Sequence, residues 1–520
     1  MTAATARARV VTAVVIGMLL AGCGAGPSSR PGVAVDQRGV VEPAPSATTT
    51  APVTAPDLAV PKSDLPWRDC TKPVLDLWGL GTGPQGLILE CAELSTPIDA
   101  SGAIYGTFTA GAMRARLPET PLDAPPLVVT SGSDRSSTAT LAGLAAGPAG
   151  ALLTARPLVA LDRRGIGTST PIDCIPPETR TGLLDHAQSS TDPAGTMAEL
   201  SQAATIACKD FLQPQELAFD TAHAADDLEQ LRLLWDVDAI GILGSGNGTA
   251  VALAYAQQYP SHVGRLVLDA PEGAGADVTT LTEYQVRGAE AALAAFANRC
   301  VALNCSLGAD PEATVADLVR RAGAGEIPGT SANAMLTAIG GFLGSPRSDQ
   351  QTRVAELADA LTAAGRGDTV ALSNLVLREQ SATAADGQFI ARCTDGQQWP
   401  AVGKVRELAD SWNERYPVFG RQAALGLLTC SAWPVAPAPP LPTDVRIPVL
   451  VTSSIADPVV GNDGLASVTG AVAAAGGNPS GIGWQGWGHP VANHSSCAQQ
   501  AVVEYAATAK LPANGTACPA

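Results

Sequence analysis

Ala239-Ile-Gly-Ile-Leu-Gly244-Ser245-Gly246-Asn247-Gly248-Thr249 decides the fold. An apolar run enters a cluster of small residues, continues as a small-residue helical stretch, and is followed by the apolar run Arg265-Leu-Val-Leu-Asp269. A strand that turns through glycines into a helix and comes back as another strand is the repeating unit of a parallel sheet. Further short apolar runs at 126–131, 158–162, 448–453 and 481–485 end in turn or cap residues, as do those at 239–244 and 264–269. Helix-period stretches such as 223–234 and 250–258 lie between them. The alternation predicts an α/β fold with a mostly parallel sheet covered on both faces. The runs at 87–93 and 107–116, with Ser101-Gly102 between them, predict an antiparallel edge hairpin. From 275 to 440 the alternation stops. There Val354, Leu357, Ala358 and Leu361 share one helical face, and Val405, Leu408 and Trp412 another. A helical block inserted into such a sheet reads as a cap over its ligand end. The folded body is thus expected as a core over 63–274, a cap over 275–440 and the core resumed over 441–520.

With 520 residues, 46% of them hydrophobic, the chain can bury a large core and is not a disordered protein. A formal charge of −17 excludes a nucleic-acid partner, which needs clustered Lys and Arg. There is no zinc-ligand spacing and no Gly-rich phosphate loop with its Lys, so neither metal nor cofactor is expected.

Residues 1–9 carry Arg7 and Arg9 without an acid, and an apolar run over 10–20 follows. It is shorter than the about 20 residues that a spanning helix needs, and matches the h-region of a secretory signal peptide. Leu20-Ala21-Gly22-Cys23 closes it and resembles a bacterial lipobox, so residues 1–22 are expected to be removed and Cys23 to carry a lipid. Residues 23–62, rich in Ala, Pro, Thr and Ser, read as a flexible tether reaching roughly 35 Å. The expected address is the extracytoplasmic face of a bacterial membrane. Ten cysteines remain, an even number suited to disulfides in an exported protein. Paired as sequential neighbours they give Cys70–Cys91, Cys174–Cys208, Cys300–Cys305, Cys393–Cys430 and Cys497–Cys518.

The 239–249 stretch also has the architecture of a nucleophile elbow. The sharp turn needs small residues two positions either side of the nucleophile. With Gly244 and Gly248 as that pair, the central residue is Gly246, which has no hydroxyl. Centring the turn on Ser245 would place Leu243 and Asn247 at the flanking positions and crowd it.

Other blocks extend the pattern. Leu161-Asp-Arg-Arg-Gly-Ile-Gly-Thr-Ser-Thr-Pro-Ile-Asp-Cys174 contains Asp-x-Arg-Gly-x-Gly-x-Ser-x-Pro, and Thr221-Ala-His-Ala-Ala-Asp-Asp-Leu-Glu-Gln-Leu-Arg232 precedes the elbow. Pro448-Val-Leu-Val-Thr-Ser-Ser-Ile-Ala-Asp457-Pro458 and Gly488-His489, with Cys497 and Cys518, follow the cap. Over roughly 67–518 these blocks together resemble the secreted tripeptidyl-aminopeptidase-like family of α/β-hydrolases. The resemblance implies an α/β-hydrolase fold with Asp457 as triad acid, His489 as general base and Gly246 at the serine position. In an active member the serine attacks a carbonyl, the histidine takes its proton and the aspartate fixes the imidazole tautomer. The family's Gly-rich oxyanion loop aligns with Ser131-Gly132-Ser133-Asp134-Arg135-Ser136-Ser137, most of its glycines gone. Gly132, Ser133, Asp134 and Asn247 are the expected oxyanion region, where Asp134 would repel a developing negative charge unless Arg135 offsets it.

Simpler roles stand beside these. Asp457 also suits a turn cap, and His489 a bridge from Asp457 between two loops. His494 reads as part of an exposed loop, and Trp484 and Trp487 as either cleft wall or core. Two functions compete. One is a catalytically impaired, lipid-anchored protein that binds a peptide, a small molecule or an envelope protein in the cleft under the cap. The other is an active serine peptidase or esterase with a displaced nucleophile, Ser245, Ser131 or Ser133. Direct water attack through the His–Asp pair ranks below both, since a triad stripped of its serine retains only about 10³–10⁴-fold catalysis over water.

Overall fold

The computed structural model describes residues 55–520 except 122, 148–149, 346–349 and 436. The expected signal peptide, Cys23 and all but the last residues of the tether lie outside the described residues. Every apolar run named above within the described residues forms a strand. The strands are β1 (Arg68–Asp69), β2 (Ile88–Pro97), β3 (Thr107–Arg116), β4 (Leu127–Thr130), β5 (Leu158–Leu161), β6 (Ile240–Ser245), β7 (Val263–Asp269), β8 (Pro448–Ala456), β9 (Asn478–Trp487) and β10 (Thr516–Cys518). They form one sheet in the order β1-β2-β3-β5-β4-β6-β7-β8-β9-β10. The β2–β3 hairpin and the β1–β2 and β3–β5 pairs are antiparallel, and the rest of the sheet is parallel. The two short strands, β1 and β10, are too brief to show a period in sequence.

Helices before the second half of the sheet are α1 (Thr71–Trp78), α2 (Ser137–Ala146), α3 (Gly150–Ala155), α4 (Pro177–Leu184), α5 (Pro193–Leu212), α6 (Thr221–Trp235) and α7 (Gly248–Gln258). Between β7 and β8 come α8 (Val278–Leu303), α9 (Pro311–Gly323), α10 (Ala332–Gly344), α11 (Gln351–Gly365), α12 (Val370–Thr383), α13 (Asp386–Asp395), α14 (Val402–Arg415) and α15 (Gly420–Gly426). Then α16 (Leu465–Ala474) and α17 (Ser496–Thr508) complete the core.

β4 to β7 are buried at every position, the pattern of strands covered on both faces. Val128 and Ile242 pack with Leu228, Trp235 and Tyr255 of α6 and α7 on one face. Val129 and Leu243 pack with Leu141 and Leu144 of α2 and Tyr505 of α17 on the other. A third apolar cluster holds the cap together and includes Val354, Leu357, Leu361, Val405 and Trp412. Helices α4 and α5, which belong to 63–274 in sequence, join this cluster through Leu183, Met197 and Cys208. Asp386 of α13 fastens them there. Its carboxylate accepts from the N–H groups of Cys174 and Ile175 and pairs with Arg180. The chain also settles onto the core before residue 63. Ala55 is buried, Leu58 lies against Gly264, and the Lys62 N–H donates to Trp235. All five neighbour pairings of the cysteines are formed.

The Asp162 segment organises the loops at the carboxyl end of the sheet. Asp162 is buried and accepts four hydrogen bonds of 2.8–2.9 Å, from the N–H and hydroxyl of Thr138 and of Thr168. It thereby ties the first turn of α2 to its own loop. Gly167, at φ 60°, lets that loop wrap the carboxylate, because a Cβ there would overlap it. The following Arg164 pairs with Asp227 through two 2.8–2.9 Å bonds and donates to the carbonyls of Pro97, Ile98 and Ala218. Removing an acceptor from buried donors costs about 1–3 kcal/mol per donor left unsatisfied. Asp162→Ala is therefore expected to destabilise the oxidised protein by about 3 kcal/mol or more, read as a lower urea midpoint, with Asp162→Asn losing less.

Candidate active site

At the carboxyl end of β6 the chain reverses through Gly246 and starts α7 at Gly248. The turn is packed too tightly for side chains at either flank. A Cβ at Gly248 would overlap the Thr130 carbonyl on β4, and one at Gly244 would lie 2.7 Å from the Gly248 oxygen. Gly246 has φ 56° and faces the cleft. A Cβ built on it would lie 2.9 Å from His489 Nε2 and 2.5 Å from Asp134 Oδ2. The neighbouring Ser245 is only 1% exposed, and its hydroxyl is buried without a hydrogen-bond partner. Nor are the other candidate hydroxyls directed at the imidazole. Ser131 Oγ donates to Thr140 at 2.7 Å, and Ser133 Oγ to Asn247 Oδ1 at 3.0 Å.

Asp457 and His489 form a dyad, with Nδ1 of the imidazole 2.8 Å from Asp457 Oδ2. Asp457 is completely buried and its Oδ1 also accepts from the N–H groups of Val459 and Val460, so it caps its turn as well as holding the histidine. Behind the dyad, Asp269 at the end of β7 accepts from Val491, Ala492 and the Thr452 hydroxyl, which fixes the loop after His489. Burial works to lower the His489 pKa. The charge and hydrogen bond of Asp457, with Asp134 and Asp269 nearby, override it, so the pKa is raised above its ordinary 6.5.

In the loop over 131–137, Arg135 does not offset Asp134. Arg135 is paired with Glu379 of α12 instead. The partner of Asp134 is the backbone of the elbow, because Asn247 N–H donates to Asp134 Oδ2 at 2.5 Å. In an elbow, the N–H after the nucleophile and one from this loop make the oxyanion hole. Here the Asn247 N–H is spent on Asp134, and the Ser133 N–H on Asn247 Oδ1 at 3.0 Å. Gly132 allows that approach, since a Cβ on it would lie 2.5 Å from Asn247 Oδ1. The amide of Asn247 then donates to Glu272 Oε2 at 2.9 Å. Burial, reinforced by the charge of Asp134, pushes Glu272 up to about 7. Burial likewise raises Asp134, against the Asn247 hydrogen bond and the charges of His489 and Arg392.

Two cavities meet at Asp134. One of about 350 Å³ contains His489 and Arg378, and the other, of about 450 Å³, contains Glu272 and Arg392. The sequence reading missed Glu272, although its place three residues beyond β7 is where ligands meet such sheets. It also placed His494 in an exposed loop. His494 is half-buried instead, stacked on Trp484 with ring centroids 5.0 Å apart and bonded to the Gly344 carbonyl at 3.1 Å. Trp484 and Trp487 pack into core clusters and line neither cavity. Cys174, Cys208 and Asp386 bring three metal-ligating residues together, but both sulfurs are used by their disulfide.

A raised histidine pKa contributes stability below pH 6.5, and that contribution is lost as pH rises through the folded-state value. NMR titration of the His489 Cε1 proton is expected to give a midpoint above 6.5 that falls in Asp457→Asn. Stability should decline over the same window, less so in His489→Gln. Glu272, raised to about 7, contributes in the same direction, so Glu272→Gln serves as the control.

A family model described as alpha/beta hydrolase fold matches residues 149–304, and one described as TAP-like protein matches 416–518. Serine protease Hip1 of Mycobacterium tuberculosis is 26% identical over 407 residues, covering 69% of this chain and 74% of its own length. A tripeptidyl aminopeptidase of Streptomyces lividans is 27% identical over 305 residues, covering 54% of this chain and 55% of its own. Among solved structures, proline iminopeptidase of Mycobacterium smegmatis aligns with 80% of this chain and 97% of its own at 14% identity, with a TM-score of 0.35. The chain has the α/β-hydrolase fold, and its residues 416–518 are similar to the TAP-like model.

Proposed function

We propose that this protein is a peptidase-like α/β-hydrolase that has lost acyl transfer through a serine and binds a peptide or small molecule beneath its cap. One observation carries this reading. Gly246 brings a hydrogen to the point flanked by His489 and Asp134, and the adjacent Asn247 N–H is already taken by the Asp134 carboxylate. Both the nucleophile and one oxyanion donor are therefore withdrawn from acyl chemistry. Water activated by His489 would meet the same obstacle, because a tetrahedral oxyanion would develop beside Asp134. A peptide as occupant is supported by the names of the relatives, a serine protease and a tripeptidyl aminopeptidase.

Export and lipid attachment at Cys23 belong to the same proposal. They are supported by the apolar run over 10–20, by Leu20-Ala21-Gly22-Cys23, and by five disulfides of the kind that persist in an oxidising compartment. In a bacterial host, metabolic labelling with an alkyne fatty acid should mark the wild type and miss Cys23→Ser, which should leave the detergent phase.

Chromogenic aminoacyl and tripeptidyl substrates test the loss of acyl transfer. Wild type and Gly246→Ser are both expected to be inert, the latter because its Cβ meets Asp134. Gly246→Ser with Asp134→Gly should exceed the single variant by roughly 10²-fold or more, the worth of one oxyanion donor. Wild-type turnover abolished by Ser245→Ala or Ser133→Ala would overturn the proposal.

A further inference from the structure

The cavity of about 350 Å³ beside His489 is positively biased. It is lined by Arg135, Arg353 and Arg378 against the carboxylates of Asp134 and Glu379. Two of the arginines are already engaged. Arg135 pairs with Glu379, and Arg353 pairs with Glu356 while lying over the Phe342 ring at 4.3 Å. Among the described residues no carboxylate lies within ion-pair reach of Arg378. Its guanidinium is instead laid against the end of α1, where a Cβ at Gly79 would come within 2.8 Å of its Cζ. A guanidinium held in a half-buried wall without a counter-ion is an uncompensated charge that an anion relieves, and its planar fork suits a carboxylate.

Other polar groups face the same space. His489 uses Nδ1 for Asp457, and among the described residues no protein group bonds its Nε2, which when protonated offers an N–H to the cavity. Asn493 also lines the cavity, only 3% exposed, and its buried, unpartnered Oδ1 is an acceptor that suits a peptide N–H beside the carboxylate. The adjoining cavity has the opposite balance, Arg180 and Arg392 against Asp134, Glu272, Asp386 and Asp395. An anionic group is thereby sorted toward Arg378.

We infer that the cavity lined by Arg378, His489 and Asn493 is a carboxylate-binding site, and that it holds a short peptide by its free C-terminus. This rests on the peptide reading proposed above and adds the end of the peptide that is recognised.

Calorimetry on the oxidised, full-length mature protein tests it with tri-alanine, tri-alaninamide and acetate. Tri-alanine is expected to bind at least tenfold more tightly than tri-alaninamide, and Arg378→Gln to abolish the difference. Because the comparison between the two peptides is made on the wild type, it stands even if the variant misfolds. Equal binding of the two peptides would overturn the carboxylate site and leave the peptide reading intact. Acetate binding through Arg378 with neither peptide bound would support the anion site and remove the peptide. Binding of none of the three would overturn both.

Discussion

A single hydrogen bond, from the Asn247 N–H to the Asp134 carboxylate, sets the arrangement of the elbow and the loop over 131–137. In this position the carboxylate occupies space that a side chain at residue 246 would otherwise take. Asp134 Oδ2 stands 2.5 Å from where a Cβ would be, so a serine at the elbow would require this carboxylate to move. From sequence, the missing serine and the altered oxyanion loop look like two separate departures from acyl-transfer chemistry. In three dimensions they are one steric arrangement, in which the loop carboxylate fills the room that the elbow vacates and occupies the donor it would otherwise leave free.

The remaining machinery keeps its order. Asp457 caps its own turn and orients His489, and Asp269 pins the loop behind it. These bonds join the carboxyl ends of β7, β8 and β9, so the dyad also braces the sheet's end. Its electrostatics change meaning as well. An imidazole whose pKa is raised by Asp457 faces the cavity that contains Arg378, and when protonated it donates there. The shared wall at Asp134 separates this cationic space from an acidic one, and the cleft is polarised along its length.

Much of this was legible in the residues. Buried strands such as Leu158–Leu161 and Ile240–Ser245 announce themselves as unbroken apolar runs between turn signals, and the cap as a long stretch of helical period. The spacing of Gly244, Gly246 and Gly248 located the elbow, since close packing against Thr130 leaves its flanks no alternative. What stayed hidden was set by contacts distant in sequence. That Arg135 would choose Glu379 over Asp134 depends on where α12 crosses the cleft. That α4 and α5 would join the cap depends on the buried carboxylate of Asp386, more than 200 residues away. The stacking of His494 on Trp484 likewise needs the loop after β9 to fold back on its own strand.

Intact-protein mass spectrometry after exposure to a fluorophosphonate addresses the central claim most directly, because the reagent needs only a serine activated by the dyad and no particular substrate. An unchanged mass, alongside a labelled active relative as control, is the predicted result. A single phosphonyl adduct that maps to any serine in this cleft and disappears in His489→Ala would contradict it.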